Sequence, residues 1–209
     1  MENISFKERV RLDAIKYSTI YKKEFVDKEY LIFSNDFKEN KYYKLKAYEN
    51  NYLHLLGVHT TMNPKEFFIK CLDGTLNDND FDFCFSGKNE NEVKGTVRRK
   101  IKSLKHLDSF FSNITGVEEK FGKGNISCAI AGSDNSITIG YANTKTCVPM
   151  TLLKGDELSD KRITCDILLS KNTNSEKYDS VIIGDKNKLD SFINNNKEIE
   201  LVDNLINKD

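Results

Sequence analysis

The chain has 209 residues, 38% hydrophobic and 11% aromatic, with 13 Phe, 9 Tyr and no Trp. That is apolar material for one domain-sized core, and with only 2 Pro it excludes a disordered linker, a Pro-rich scaffold and a collagen-like repeat. Lys and Arg number 32 against 32 Asp and Glu, so the net charge is 0 and any phosphate-binding surface has to be a local patch.

No apolar run approaches the roughly 18 residues that a membrane span requires. Met1 to Lys7 shows neither an apolar signal region nor a small-residue cleavage site. The cysteines, at 71, 84, 128, 147 and 165, are odd in number, widely spaced and free of any C-x-x-C pattern. They read as reduced thiols, with Cys84, Cys128, Cys147 and Cys165 buried in apolar or strand-like runs, and the expected location is the cytoplasm.

Phe6 to Val26 places Val10, Ile15, Ile20, Tyr21 and Phe25 at helical spacing among charges, which predicts a helix. Glu29–Ser34 and Tyr42–Tyr48 predict a hairpin, the second strand burying Tyr43, Leu45 and Ala47 and wetting Lys44 and Lys46. Asn63-Pro64 starts a helix, Asn as the cap and Pro at the first helical position, with Phe67, Phe68, Cys71 and Leu72 on one face. Phe81, Phe83 and Phe85 alternate with polar or small residues and predict an extended segment over Asn79–Ser86. Glu92 to Phe111 returns to helical spacing through Val97, Ile101 and Leu104, and the glycine-bearing stretch from Asn113 to Asn125 reads as a loop.

Beyond it, Ile126–Ala131, Ser136–Tyr141, Cys147–Leu153, Arg162–Leu169 and Ser180–Ile183 are separated by polar turns and predict an antiparallel meander. Lys186–Asn195 suits a short helix, followed by a polar, frayed tail. No linker interrupts residues 1–209 and no period of 20–50 residues recurs, so the expectation is one α+β domain and not a repeat array.

Two near-motifs fail on chemistry. The stretch from Gly116 to Gly124 spaces its glycines one residue too far for a P-loop, and Gly124 stands where a hydroxyl would hold magnesium. Asp78 to Asp82 opens like a calcium loop, but Phe83 takes the glycine position and Asn89 that of the bidentate Glu.

Three features carry chemistry. His54, between Leu53 and Leu55 and just before Gly57, is a partly enclosed imidazole suited to acid–base work, although a histidine so flanked is usually a satisfied core residue. His59 lies five residues on, a poor spacing for a shared metal, so no metal site is expected. Lys94, Arg98, Arg99, Lys100, Lys102, Lys105 and His106 form the concentrated basic run, either a solvated helix face or a phosphate-contacting stripe, with Lys100 beside Ile101 and turned along the core edge towards a cleft. Pro149 makes Cys147–Leu153 an edge strand or a bulged one, with Lys145, Thr146 and Thr151 as available polar groups or as ordinary strand surface.

Four strings together resemble a nuclease family. Asn51-Tyr52-Leu53-His54-Leu55-Leu56-Gly57-Val58 is similar to the N-F-x-H-L-T-G string of the phage-associated Barnase/EndoU/colicin/RelE-like nucleases, fourth group. Lys65-Glu66-Phe67-Phe68, the Lys100 to Leu107 segment and Pro149-Met150-Thr151-Leu152-Leu153 resemble its later strings. The resemblance spans roughly residues 5–185, and Leu56 departs from it by replacing a Thr.

The family implies helices packed on a four- to five-stranded antiparallel sheet and metal-independent endoribonuclease chemistry in a toxin or other mobile-element protein. In that scheme His54 is the acid/base, Lys100 stabilises charge and Thr151 assists as a hydroxyl. Thr151 or Lys145 is a phosphate ligand, while Arg98, Arg99, Lys102 and Lys105 position the RNA backbone. No cofactor is implied; RNA is the expected partner, with an antitoxin or other protein partner as a second. The competing expectation is a non-catalytic protein-binding inhibitor or anti-defence protein that keeps the fold, favoured by the zero net charge, the presence of one well-placed histidine and the replaced Thr. An open His54 beside Lys100 would favour catalysis; a buried His54 bonded to backbone alone would favour binding.

Overall fold

Ser5 opens the first helix, its side chain accepting from the Glu8 N–H at 3.1 Å, and α1 (Phe6–Tyr21) buries Val10, Ala14, Ser18 and Tyr21 along one face. This computed structural model describes residues 4–143, 146–202 and 205. A π-helical turn, Lys22–Val26, continues α1 and swings Phe25 under Tyr21, the two rings stacked at 5.3 Å. The hairpin follows as β1 (Lys28–Phe33) and β2 (Tyr43–Lys46), with Tyr43 and Leu45 buried and the lysines between them partly wet, as the alternation predicts.

The residues around His54 are helical: α2 (Tyr52–Leu56) is a short helix that ends on Gly57. Asn63 caps α3 (Pro64–Leu72) by accepting from Lys65 N–H at 2.9 Å, with Pro64 at the first position. Over Asn79–Ser86, where a short strand or extended segment is expected, a 3-10 turn, Asp78–Asp80, gives way to extended backbone at Phe81 and a bridge between His59 and Asp82. Asn89 caps α4 (Glu90–Ser103), which buries Val93, Val97 and Ile101. That helix stops sooner than its apolar spacing implies, because Leu104–His106 and Phe111–Asn113 tighten into 3-10 turns.

The remaining strands are β3 (Gly116–Glu119), β4 (Gly122–Lys123), β5 (Ile126–Ser127), β6 (Ile130–Ser133), β7 (Ile137–Asn143), β8 (Cys147–Lys154), β9 (Ile167–Asn172) and β10 (Ser180–Ile183), followed by α5 (Lys186–Asn195). Gly116–Glu119 and Gly122–Lys123 lie in the stretch expected to be a loop, where glycines masked the strand pattern. Arg162–Cys165 lies outside β9 and pairs with β3 through the Val117–Ile163 bridge.

The sheet is larger than four or five strands. Eight pair in the order β10-β9-β1-β2-β8-β7-β6-β3, and β4 with β5 forms a separate ribbon. The meander exists locally, β6 to β7 to β8, but the chain then returns to lay β9 antiparallel along β1, from Lys28–Asn172 to Phe33–Ile167. The pairing is also not wholly antiparallel: β2 meets β8 in parallel, through the pair Leu45–Cys147 among the described residues.

Strand β1 is buried on both faces, which explains its unbroken apolar run. Tyr30 and Ile32 enter the main core beneath α1 to α4, while Leu31 joins Ile167, Leu169, Leu189 and Phe192 beneath α5. Within the tail expected to fray, Ile199 and Leu201 are buried and Leu201 bridges Tyr178, while residues 203, 204 and 206–209 lie outside the described residues. Cys71, Cys128, Cys147 and Cys165 are buried free thiols; Cys84 is exposed, in a segment that joins no strand of the sheet.

Tyr52 ties α2 to this core. Its ring is fully buried and its hydroxyl donates to the Ala14 carbonyl of α1 at 2.8 Å. Tyr52→Phe removes that bond while keeping the ring, so urea denaturation is expected to show a loss of about 1 kcal/mol.

Candidate active site

The site begins with a division of labour on α2. Tyr52, Leu55 and Leu56 are buried, which leaves His54 on the exposed side. The Asn51 side chain accepts from Tyr48 N–H at 2.9 Å and fixes the entry to the turn. Gly57 fixes the exit: its φ of +74° is left-handed, and its N–H returns to the Leu53 carbonyl at 3.0 Å.

Lys100 arrives from α4 and lies across that glycine. Its Nζ donates to the His54 carbonyl at 2.6 Å. A Cβ on Gly57 would stand 3.0 Å from Lys100 Cδ and 3.4 Å from Nζ, so hydrogen at this position is what gives the lysine its path. The expectation that Lys100 follows the core edge into a cleft is met, and its chain ends at the same peptide that carries His54.

That cleft encloses about 500 Å³ and is lined by His54, Gly57 and Val58 from the α2 end, His59 and Thr60 beyond it, Phe85 and Lys88 from the following turn, Glu92, Thr96 and Lys100 from α4, and Met150 from β8. It exists because β8 leaves β2 beyond the Leu45–Cys147 pair, and α2 and α4 pack against β8 there. At Gly140–Thr151 the β7–β8 register slips, the next pair being Tyr141–Pro149, so Met150 is the extra residue of a bulge. Pro149 thus marks a bulged strand, the second of the two expected forms, inside the sheet instead of at its edge.

Electrostatics distinguish the two main groups. Partial burial, aided by the Lys100 charge, lowers the His54 pKa below the ordinary imidazole value of 6.5. Burial, aided by the Lys88 ammonium, brings Lys100 down to about 8. At neutral pH the imidazole is therefore chiefly an acceptor and the ammonium chiefly charged.

The other expected site residues are distributed unevenly. The Thr151 side chain is buried, with its methyl near Gly140 on the side of Cys128, and the bulge gives its place in the cleft to Met150. Arg99 reaches the rim through Thr96, its Nη2 donating to Thr96 Oγ1 at 3.2 Å. Arg98 stacks its guanidinium 4.8 Å from the Phe6 ring centroid, and Arg98, Lys102 and Lys105 are exposed residues that do not line the cleft. Lys145 lies outside the described residues. Leu56, where the resemblance has Thr, is fully buried in the core and so takes nothing from the cleft.

His59 is the residue that sequence spacing undervalued. Judged only as a metal partner for His54, it instead lines the same cleft with its Nδ1 2.9 Å from Asp82 Oδ1. Its partner lies 23 residues away, so no local pattern reveals the pair. Among the described residues no group of three or more His, Cys, Asp or Glu side chains is placed to hold a metal ion.

Residues 16–199 match the family described as phage-Barnase-EndoU-ColicinE5/D-RelE like nuclease4. The chain belongs to this family. No curated protein and no solved structure matches it. Within this nuclease-like chain, the strings that carry the resemblance surround one place: α2 with its glycine cap, α4 with Lys100 and β8 with Met150 border the cleft, while Phe67 and Phe68 of α3 are buried in the core behind it.

Gly57→Ala tests the crossing. The substitution meets both the left-handed backbone and the Lys100 methylenes, so it is expected to cost about 1–2 kcal/mol by denaturation. Displaced from its carbonyl, Lys100 is expected to titrate closer to an ordinary lysine when followed by NMR.

Proposed function

We propose that this protein is a metal-independent endoribonuclease that cleaves RNA by attack of a 2′-hydroxyl on the adjacent phosphorus. The observation that carries the reading is the convergence of an exposed His54 and a half-buried Lys100 on one cleft, joined by the 2.6 Å bond from Lys100 to the His54 carbonyl. Membership of a nuclease family supplies the reaction class, and the environments of the two groups suit the steps. A neutral His54 accepts the 2′-hydroxyl proton as the oxygen attacks. The Lys100 ammonium, poorly solvated, faces the charge that grows on the phosphorane oxygens, where low local polarity strengthens its effect.

RNA is the substrate class because the nucleophile is the 2′-hydroxyl itself. Lys88 and, through Thr96, Arg99 add positive charge at the rim for the flanking backbone. The accessible His54 ring favours this reading over a purely protein-binding role, for which a ring sealed into backbone contacts would be the natural state.

The test is cleavage of total and transfer RNA by purified protein in EDTA. Wild type is expected to leave 2′,3′-cyclic phosphate ends, and His54→Ala and Lys100→Ala each to lose about 10²–10⁴-fold in rate. No cleavage by correctly folded wild type would overturn the reading and turn attention to a protein partner. The pH profile carries the sign of the shifts. Of these two groups, His54 has to be neutral and Lys100 charged, so the lowered His54 value keeps the base available at pH 6.5 and the charge on Lys100 is lost as pH rises through about 8, by which point activity should be in decline.

A further inference from the structure

The reading above employs His54 and Lys100 and leaves a second imidazole in the same cleft without a task. His59 and Asp82 are paired twice by backbone, His59 N–H to the Asp82 carbonyl at 3.0 Å and Asp82 N–H to the His59 carbonyl at 2.8 Å. This two-residue bridge fixes both side chains, and His59 Nδ1 meets Asp82 Oδ1 at 2.9 Å. The carboxylate is itself anchored, since Oδ1 also accepts from the Cys84 N–H at 2.8 Å. The edge of Phe85, 5.5 Å away and at 70°, limits ring rotation further.

This geometry has a chemical consequence. A carboxylate outside the cleft takes Nδ1, which fixes the ring orientation and leaves Nε2 as the nitrogen free to meet a substrate. In-line displacement at phosphorus also needs two proton carriers. The attacking and departing oxygens lie on opposite sides of the phosphorus, so one imidazole does not serve both in a single step. His54 and His59 flank Gly57, across which the Lys100 ammonium lies. Their neighbours differ: the Lys100 cation lies by His54, while the Asp82 carboxylate holds Nδ1 of His59.

We infer that His59 is the general acid of the cleavage, delivering the Nε2 proton to the departing 5′ oxygen, with Asp82 as its positioning residue. The inference rests on the ribonuclease reading above. In the step, His54 takes the 2′-hydroxyl proton, the bond from O2′ to phosphorus forms, the bond from phosphorus to O5′ breaks, and O5′ receives the His59 proton. The products are a 2′,3′-cyclic phosphate and a 5′-hydroxyl, and the two rings finish with their protonation states exchanged.

A leaving-group comparison tests it with two matched oligoribonucleotides, one normal and one with sulfur replacing the bridging 5′ oxygen at the cut site. A thiolate departs without needing a proton, so loss of the acid matters only for oxygen. His59→Ala and His59→Gln are expected to lose about 10²–10⁴-fold in kcat on normal RNA and less than tenfold on the sulfur substrate. His54→Ala should be impaired on both. Asp82→Asn should show a smaller loss with the same rescue by sulfur and an unchanged KM, a pattern that mere loosening of the fold does not produce. Thermal melts of each variant confirm folding.

Equal losses on both substrates, or full activity of the His59 variants on normal RNA, would overturn the assignment while leaving the ribonuclease reading in place. Wild type inactive on both substrates would overturn that reading and this assignment with it.

Discussion

The site hangs on one contact, the Lys100 ammonium against the carbonyl of His54. An ammonium drawn out of water loses solvation that a single neutral carbonyl replaces only in part, so the lysine is held less basic than a solvated one. The carbonyl is a suitable partner because it lies in the last turn of α2, where carbonyls lack helical partners and the backbone carries partial negative charge. Gly57 makes the approach possible twice over, by turning the chain left-handed and by offering no Cβ. The same bond that steadies the turn beneath His54 thus delivers a positive group to the mouth of the cleft.

Such a contact needs rigid support, and the sheet provides it through an irregularity. A regular antiparallel sheet with β2 and β8 fully paired would leave no wedge for α2 and α4. The parallel junction at Leu45–Cys147 joins the N-terminal hairpin to the meander and beyond Cys147 the strands part. Tyr52, Leu55 and Leu56 fill the base of the wedge, and the bulge at Met150 turns an apolar side chain into its wall. The catalytic side chains proposed here therefore stand on elements fixed by core burial on one side and open to solvent on the other.

The local pattern of this sequence was readable where one face is buried and the other wet. Helix α1, the β1–β2 hairpin, the Asn63-Pro64 start and the β7 strand all follow from spacing or capping. Sheet size was not, because β9 reaches back to β1 across more than 130 residues and the parallel junction at Leu45–Cys147 joins strands 102 residues apart in sequence. Strand β3 was hidden by its glycine and by a pair of buried or half-buried glutamates, Glu118 and Glu119, which bind backbone N–H groups of Ser159 and Lys38 instead of water. The site divides along the same line. His54 and Lys100 stand out as a histidine before a glycine and a lysine at the apolar edge of a helix. Thr151 was displaced from the cleft by a one-residue bulge that flips which side chain faces it, and His59 gained its meaning from an aspartate brought in by folding.

The basic helix shows how a neutral protein concentrates charge without becoming a general polycation. Helical geometry sends the run from Lys94 to Lys105 around the axis, so only part of it serves any one surface. Lys94 and Arg98 lie over the Phe83 and Phe6 rings, at 5.5 and 4.8 Å, where cations cover apolar surface. Lys100 alone of the run lines the cleft, with Arg99 at its rim. Together with Lys88 these make a short positive arc against which Glu92 sets a limit. In the ribonuclease reading, a site of this kind grips a phosphate or two and leaves the rest of the strand unheld. Selection among RNAs then falls to the shape of the cleft, with Phe85 and Met150 as its apolar walls, and not to the length of a phosphate track.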